Sequence, residues 1–314
     1  MSASAKSWAL HLGLIAVLFA AQFGLPSYHA TNVSRIMVLA VFAMGYNIAF
    51  GYTGLLSLGH ALFFAAGMYG MGLPIWTLSW APIPALIAGL VAGGALAGLV
   101  GLLALRTAGV SFMIVTLMFA QAGYLTLLYL NTHTGGDEGF VVDSAARVIA
   151  GFDLSTDAPR YMAALILFAT AMLICLWLVR SPFGRVMVAM RENEERSRML
   201  GYNPFRVKLT ALVISGLYAG IAGAAYGMLF GYVGATFATI QYSILPMLYV
   251  LLGGAGTVIG PFLGALLMFY LIDITSGYTT AYLFVVGAAL VVLVLFAPKG
   301  ILGTIRERGL KWLP

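Results

Sequence analysis

From Ile36 to Leu105 the chain reads IMVLAVFAMGYNIAFGYTGLLSLGHALFFAAGMYGMGLPIWTLSWAPIPALIAGLVAGGALAGLVGLLAL, 70 residues between Arg35 and Arg106 without one Lys, Arg, Asp or Glu. A membrane helix takes about 20 apolar residues, so this stretch alone has room for about three. A second charge-free stretch of 64 residues lies between Lys208 and Asp273. The whole chain follows suit: of 314 residues, 62% are apolar and 8% charged, with a mean hydropathy of +1.00. A soluble domain is about 45–50% apolar and about 25% charged, so a water-soluble enzyme and a disordered chain are both excluded. The runs are apolar all round rather than alternating, which excludes a β-barrel.

The reading is an all-α, polytopic helical bundle with about ten transmembrane helices, some of them broken or re-entrant. The candidate spans are Trp8 to Phe23, Ile36 to Phe50, Ala61 to Leu78, Ile83 to Leu105, Val110 to Leu130, Tyr161 to Val179, Leu209 to Phe230, Ser243 to Gly253, Val258 to Thr275 and Ala281 to Ala297. Eight spans plus re-entrant segments is the alternative. Trp8 to Phe23 has the length of a signal-peptide core, but Ser27, Tyr28 and His29 before Ala30 make a poor cleavage site. It reads as a retained first span. Residues 1–314 form a single transmembrane domain, because little chain is left for anything else.

Charge sets the orientation. The net charge of +6 comes from 16 basic and 10 acidic residues. The segment 180–208 holds Arg180, Arg185, Arg191, Arg196, Arg198, Arg206 and Lys208, against Glu192, Glu194 and Glu195. The loop 131–160 is the reverse, with Asp137, Glu138, Asp143, Asp153 and Asp157 against Arg147 and Arg160. Cytoplasmic loops are rich in Lys and Arg, so 180–208 is expected inside and 131–160 outside. The tail 298–314, with Lys299, Arg306, Arg308 and Lys311, falls inside as well. Arg35 is the exception and falls outside. No basic patch is interleaved with exposed aromatics, so nucleic acid is not a partner. The single cysteine, Cys175, lies in an apolar run and supports neither an intrachain disulfide nor a metal site.

Two segments resist regular helix: Gly51-Tyr52-Thr53-Gly54-Leu55-Leu56-Ser57-Leu58-Gly59-His60 and Gly253-Gly254-Ala255-Gly256-Thr257-Val258-Ile259-Gly260-Pro261. Interrupted hydrophobic segments in two halves of a chain point to a transporter's substrate path. The candidate path residues are Asn47, Tyr52, Thr53, Gly54, Ser57, His60, Gly253, Gly254, Gly256 and Thr257. The competing reading is close helix packing through small residues, and for His60 a hydrogen bond between helices. Asp273 sits near the outer end of a span and reads as interfacial. Buried acids are nearly lacking, which counts against a proton-coupled carrier. No Walker A pattern occurs, and no nucleophile–base set or Cys/His cluster suggests catalysis, a cofactor or a metal.

Ser181 to Gly201, SPFGRVMVAMRENEERSRMLG, opens with Pro182, which suits a helix start, and closes with Gly201, which suits a stop. Phe183, Val186, Met187 and Met190 give it an apolar side suited to docking a soluble partner.

Four stretches together resemble the LivM-type permease subunits of branched-chain amino acid ABC importers. They are NIAFGYTGLLSLGHALFF from Asn47 to Phe64, TGGDEG from Thr134 to Gly139, the Ser181 to Gly201 stretch, and LGGAGTVIGPFLGA from Leu252 to Ala265. The resemblance implies a bacterial inner-membrane permease without ATPase activity of its own. It implies partners: a second related permease, two cytoplasmic ATPase subunits and a periplasmic binding protein. It also implies that Phe183, Gly184, Arg185, Met187, Arg191, Glu192 and Gly201 couple to an ATPase. The implied solutes are branched-chain or related amino acids, with urea, amides or other small polar solutes as alternatives. Gly231 to Gln241 departs from the pattern, which leaves the solute open. A single-chain secondary transporter is the rival from another class.

Overall fold

A computed structural model describes residues 3–281, 284–288, 291, 295, 297 and 299–308. The chain is all helical apart from two two-stranded ribbons. In order, the helices are α1 (Ala3–Ala21), α2 (Ser27–Asn47, continued by a π-helical turn Ile48–Tyr52), α3 (His60–Leu78), α4 (Pro82–Ala104), α5 (Val110–Tyr129), the short α6 (Asn131–Thr134), α7 (Asp157–Arg180), α8 (Pro182–Glu192), α9 (Glu194–Met199), α10 (Pro204–Phe230), α11 (Ile240–Gly253), α12 (Gly260–Tyr278) and α13 (Gly300–Arg308). Among the described residues, seven helices are long and apolar enough to cross a membrane: α2 with its π turn, α3, α4, α5, α7, α10 and α12. Two apolar helices are shorter, Ala5–Ala21 and Ile240–Gly253. The latter is about 21 Å long at 1.5 Å per residue, less than the roughly 30 Å of a bilayer core. The expected count of about ten is therefore not reached by full-length helices among the described residues, and the span expected at Ala281 to Ala297 lies partly outside them.

Starts and stops follow local chemistry. Proline occupies the first turn of α4, α8, α10 and α12, where its missing N–H costs nothing. Asn203 Oδ1 accepts from Arg206 N at 3.2 Å and caps α10. Gly231 closes α10 at φ 72°, the left-handed region that glycine enters freely.

α2 is the axis of the bundle: 89% of its best apolar window is buried, against 17% for α5. α7, α10, α11 and α12 surround α2, whereas α5 lies at the margin, where lipid would meet it. α10 packs most closely on α3 and α4, backbone to backbone. A Cβ at Gly67 would overlap the Gly220 carbonyl, and one at Gly223 would overlap the Phe64 carbonyl. Small residues of this kind let membrane helices approach without help from a hydrophobic driving force.

The two ends of the bundle differ. At one end β1 (Phe140–Val141) pairs antiparallel with β4 (Tyr232–Val233), joining the 131–160 loop to the stretch after α10. Trp76 stacks on Phe140 there, with centroids 4.8 Å apart. Next to it β2 (Val148–Ile149) and β3 (Phe152–Asp153) form a small hairpin. Hydrogen bonds from Ser155 to the half-buried Asp153 hold that carboxyl below its ordinary pKa. Tyr28, at the start of α2, donates to Asp273 at 2.8 Å, so Asp273 sits at this end, half-buried. The opposite end carries α8, α9 and α13.

Candidate functional site

The two glycine-rich breaks are 200 residues apart in sequence and meet in one junction. α2 does not stop cleanly at Asn47. It widens into the π turn, and Leu55 N then donates to Ala49 O at 2.8 Å while Thr53 Oγ1 donates to Ile48 O at 2.9 Å. Such widened turns are rare and gather at functional sites. The second break follows α11, with Gly254 at φ 121° and Gly256 at φ 74°. Thr257 Oγ1 donates to the Gly254 carbonyl at 2.7 Å.

Asn47 joins them. Its Nδ2 donates to Thr257 O at 2.9 Å, and its Oδ1 accepts from Gly256 N at 3.0 Å. The side chain is fully buried, and one amide satisfies a donor and an acceptor of the opposing break. Gly51 must be glycine: a Cβ there would lie 2.6 Å from Gly256 N and collide with Asn47 Oδ1.

Two arginines reach the junction from the α8 end. Arg191, at the close of α8, donates through Nη1 to the Gly51 carbonyl. Arg306, on α13, donates through Nη1 to the Gly256 carbonyl at 3.2 Å. Each break thus has one carbonyl held by a guanidinium from a helix at the α8 end of the bundle. Arg191 also packs on Gly54. Gly54, Leu55 and Leu56 line a cavity of about 830 Å³, together with the Leu105–Val110 connection and the start of α10.

His60 does not join this cluster. Its Nε2 lies 2.7 Å from Ser215 Oγ, and Ser215 Oγ donates to Gly45 O at 2.6 Å. The hydroxyl proton is committed, so Nε2 carries the hydrogen and donates. His60 ties α3 to α10 and α2. Ser57 Oγ accepts from Gly59 N at 3.1 Å, a local turn contact, and the Tyr52 hydroxyl is buried without a partner among the described residues. Gly253 is packed against Gly260, where a Cβ would overlap its carbonyl.

The segment 181–201 departs from the expected single helix. Asn193 breaks it: its side chain accepts from Arg196 N at 2.8 Å and caps α9. Gly201 follows in the left-handed region at φ 89°. Met187 is fully buried and Met190 and Gly184 are buried, facing the bundle's own helices. Met187 is therefore corrected from a partner contact to an internal anchor. Phe183 is half-buried, while Arg185, Arg191 and Glu192 are exposed. The segment's most exposed large apolar residues are Met199 and Leu200, at 85% and 72%. They escaped the sequence reading because α9 is too short to show a helical period. Lys208 Nζ binds Glu194 at 2.5 Å and fixes α9 to α10.

Residues 30–295 match the family model described as the branched-chain amino acid transport system permease component. The chain belongs to this family. The permease is 30% identical to the high-affinity branched-chain amino acid transport system permease protein LivM of Escherichia coli K12, over 87% of this chain and 69% of that protein. It is 25% identical to LivH of Salmonella typhimurium, over 84% of this chain and 91% of that protein. It is 27% identical to the autoinducer 2 import system permease protein LsrC of Photorhabdus laumondii, over 90% and 85%. No solved structure matches it. It is a multi-pass transport protein of the inner membrane.

Proposed function

We propose that this permease is one half of the membrane pore of an ATP-driven importer for branched-chain or related amino acids. A second, related permease supplies the other half. A periplasmic binding protein delivers the solute, and two cytoplasmic ATPase subunits supply the energy. α1, the shorter α11 and the span expected at Ala281 to Ala297 would bring the seven long helices to about ten membrane segments. Loop 131–160 faces the periplasm, and 180–208 and the tail face the cytoplasm.

The observation that carries this reading is the junction. Asn47 holds the two breaks closed against each other, and Arg191 and Arg306 tie that closure to helices outside the membrane. Asn47, Gly51, Gly54, Gly256 and Thr257 form the cytoplasmic gate. Movement of α8 under a bound ATPase withdraws Arg191 from the Gly51 carbonyl and releases it. Met199 and Leu200 are the apolar docking points, and Arg185 and Glu192 orient the contact. Interface energy concentrates in a few apolar anchors rather than in rim charges.

The test is uptake of L-leucine into vesicles holding the complete importer, with its binding protein outside and ATP inside. ATP-dependent accumulation is expected. Accumulation that persists without the ATPase subunits contradicts the reading and favours a secondary transporter.

A further inference from the structure

Arg35 lies eight residues, about 12 Å, inside the start of α2, within the most buried candidate span. It makes no hydrogen bond or ion pair with any described residue. Its Nε is buried without a partner. Its guanidinium instead lies over the ring of Phe230, 5.0 Å from the centroid. A charge kept at membrane depth without a counter-ion is costly and marks function.

The neighbours have the same character. Asn32 is on the same face of α2, one turn towards the outer end; it is 5% exposed and its Nδ2 has no partner. The Arg160 guanidinium is 6.0 Å from the same Phe230 ring. Arg147 rests against Gly231, where a Cβ would lie 2.8 Å from its Nη1, and its Nε also lacks a partner. Among the described residues one carboxylate is in ion-pair range of the three guanidiniums, Asp157, 3.3 Å from Arg160, and Asp153 acts on Arg147 and Arg160 from further off. The site thus keeps unused donors and one net positive charge, that of Arg35.

We propose that Asn32 and Arg35, with Arg147 and Arg160 at the rim, receive the carboxylate of the incoming solute. The transported class is then a carboxylate-bearing amino acid, and not urea or an uncharged amide. This rests on the transport reading above and on its orientation, which puts Arg35 at the outer mouth. Guanidinium and amide N–H groups are donors that match a carboxylate's two oxygens. Urea or an uncharged amide offers these donors a carbonyl oxygen but no negative charge to balance Arg35. The aromatic cluster of Tyr226, Phe230, Phe237 and Tyr242, with successive centroids 4.7 to 5.2 Å apart, lies alongside. It gives an aliphatic side chain an apolar wall and an ammonium group ring faces.

The experiment uses the complete importer in vesicles with leucine-loaded binding protein, and reads leucine imported per ATP hydrolysed. Arg35→Gln should lower that ratio by about tenfold or more, the scale of a lost charge-assisted hydrogen bond. Arg35→Lys should fall between, because an ammonium keeps the charge but not the fork. Asn32→Leu should lower it by less. A merely structural role would reduce import and hydrolysis together and leave the ratio unchanged, and that result in Arg35→Gln overturns the proposal. Should Arg35→Gln fail to assemble, an unchanged ratio in both Arg35→Lys and Asn32→Leu overturns it equally. If the wild-type importer moves no amino acid with ATP, the transport reading itself has failed, and this inference falls with it whatever the variants do.

Discussion

Replacing Asn47 by Ala deletes the amide that holds the two breaks together. The change leaves the Gly256 N–H and the Thr257 carbonyl without partners, in a position where Asn47 is fully buried. An orphaned buried polar group costs about 1–3 kcal/mol, so the closed junction loses roughly 2–6 kcal/mol. At the lower bound, the ratio of closed to open junction falls about 30-fold. The bundle should survive, because a domain's stability is about 5–15 kcal/mol and the α3–α4–α10 packing is untouched. The assay is passive efflux of labelled leucine from vesicles holding the importer without ATP. Efflux should rise well above wild type while the variant inserts in normal amounts. Asn47→Asp should also leak, because a carboxylate keeps the acceptor for Gly256 but faces the Thr257 carbonyl with a second acceptor. Wild-type efflux in both variants would refute the argument that this amide closes the gate.

Five further variants have defined outcomes. Gly51→Ala should abolish transport, because its Cβ would meet Gly256 N at 2.6 Å; normal uptake would show that the junction is looser than described. Gly256→Val should do the same through strain at φ 74°, with uptake falling further than membrane yield; equal losses would favour helix packing. Leu200→Asp should abolish ATPase stimulation by loaded binding protein with normal insertion, whereas Met187→Asp should reduce the amount of folded permease, since it buries a charge. A cysteine placed at Gly136 should label only from the periplasmic side, and labelling only from the cytoplasm would reverse the map.

Much of this molecule is legible in its sequence. The seven long helices fall where hydropathy put them, Val110–Tyr129 against an expected Val110 to Leu130, for example. The ends are less so: α7 begins at Asp157 and α10 at Pro204, each several residues before the apolar run. A charge halts a hydropathy reading, but it does not interrupt a helix's hydrogen-bond ladder. The breaks were visible as glycine clusters. Their union was not, because a bond from Asn47 to Thr257 spans 210 positions and leaves no local trace. Arg306 and Ser215 were missed for the same reason. The inward turn of Met187 was missed because an amphipathic helix does not declare whether its apolar side meets a partner or its own bundle.

The central claim is that the two breaks form a gate worked from outside the membrane. Spin labels at Leu56 and Ala255, both partly exposed beside the junction, measure it directly in the assembled importer. The account predicts one short distance without nucleotide and a longer one when ATP is bound with the loaded binding protein. A distance that stays the same through the transport cycle would contradict it.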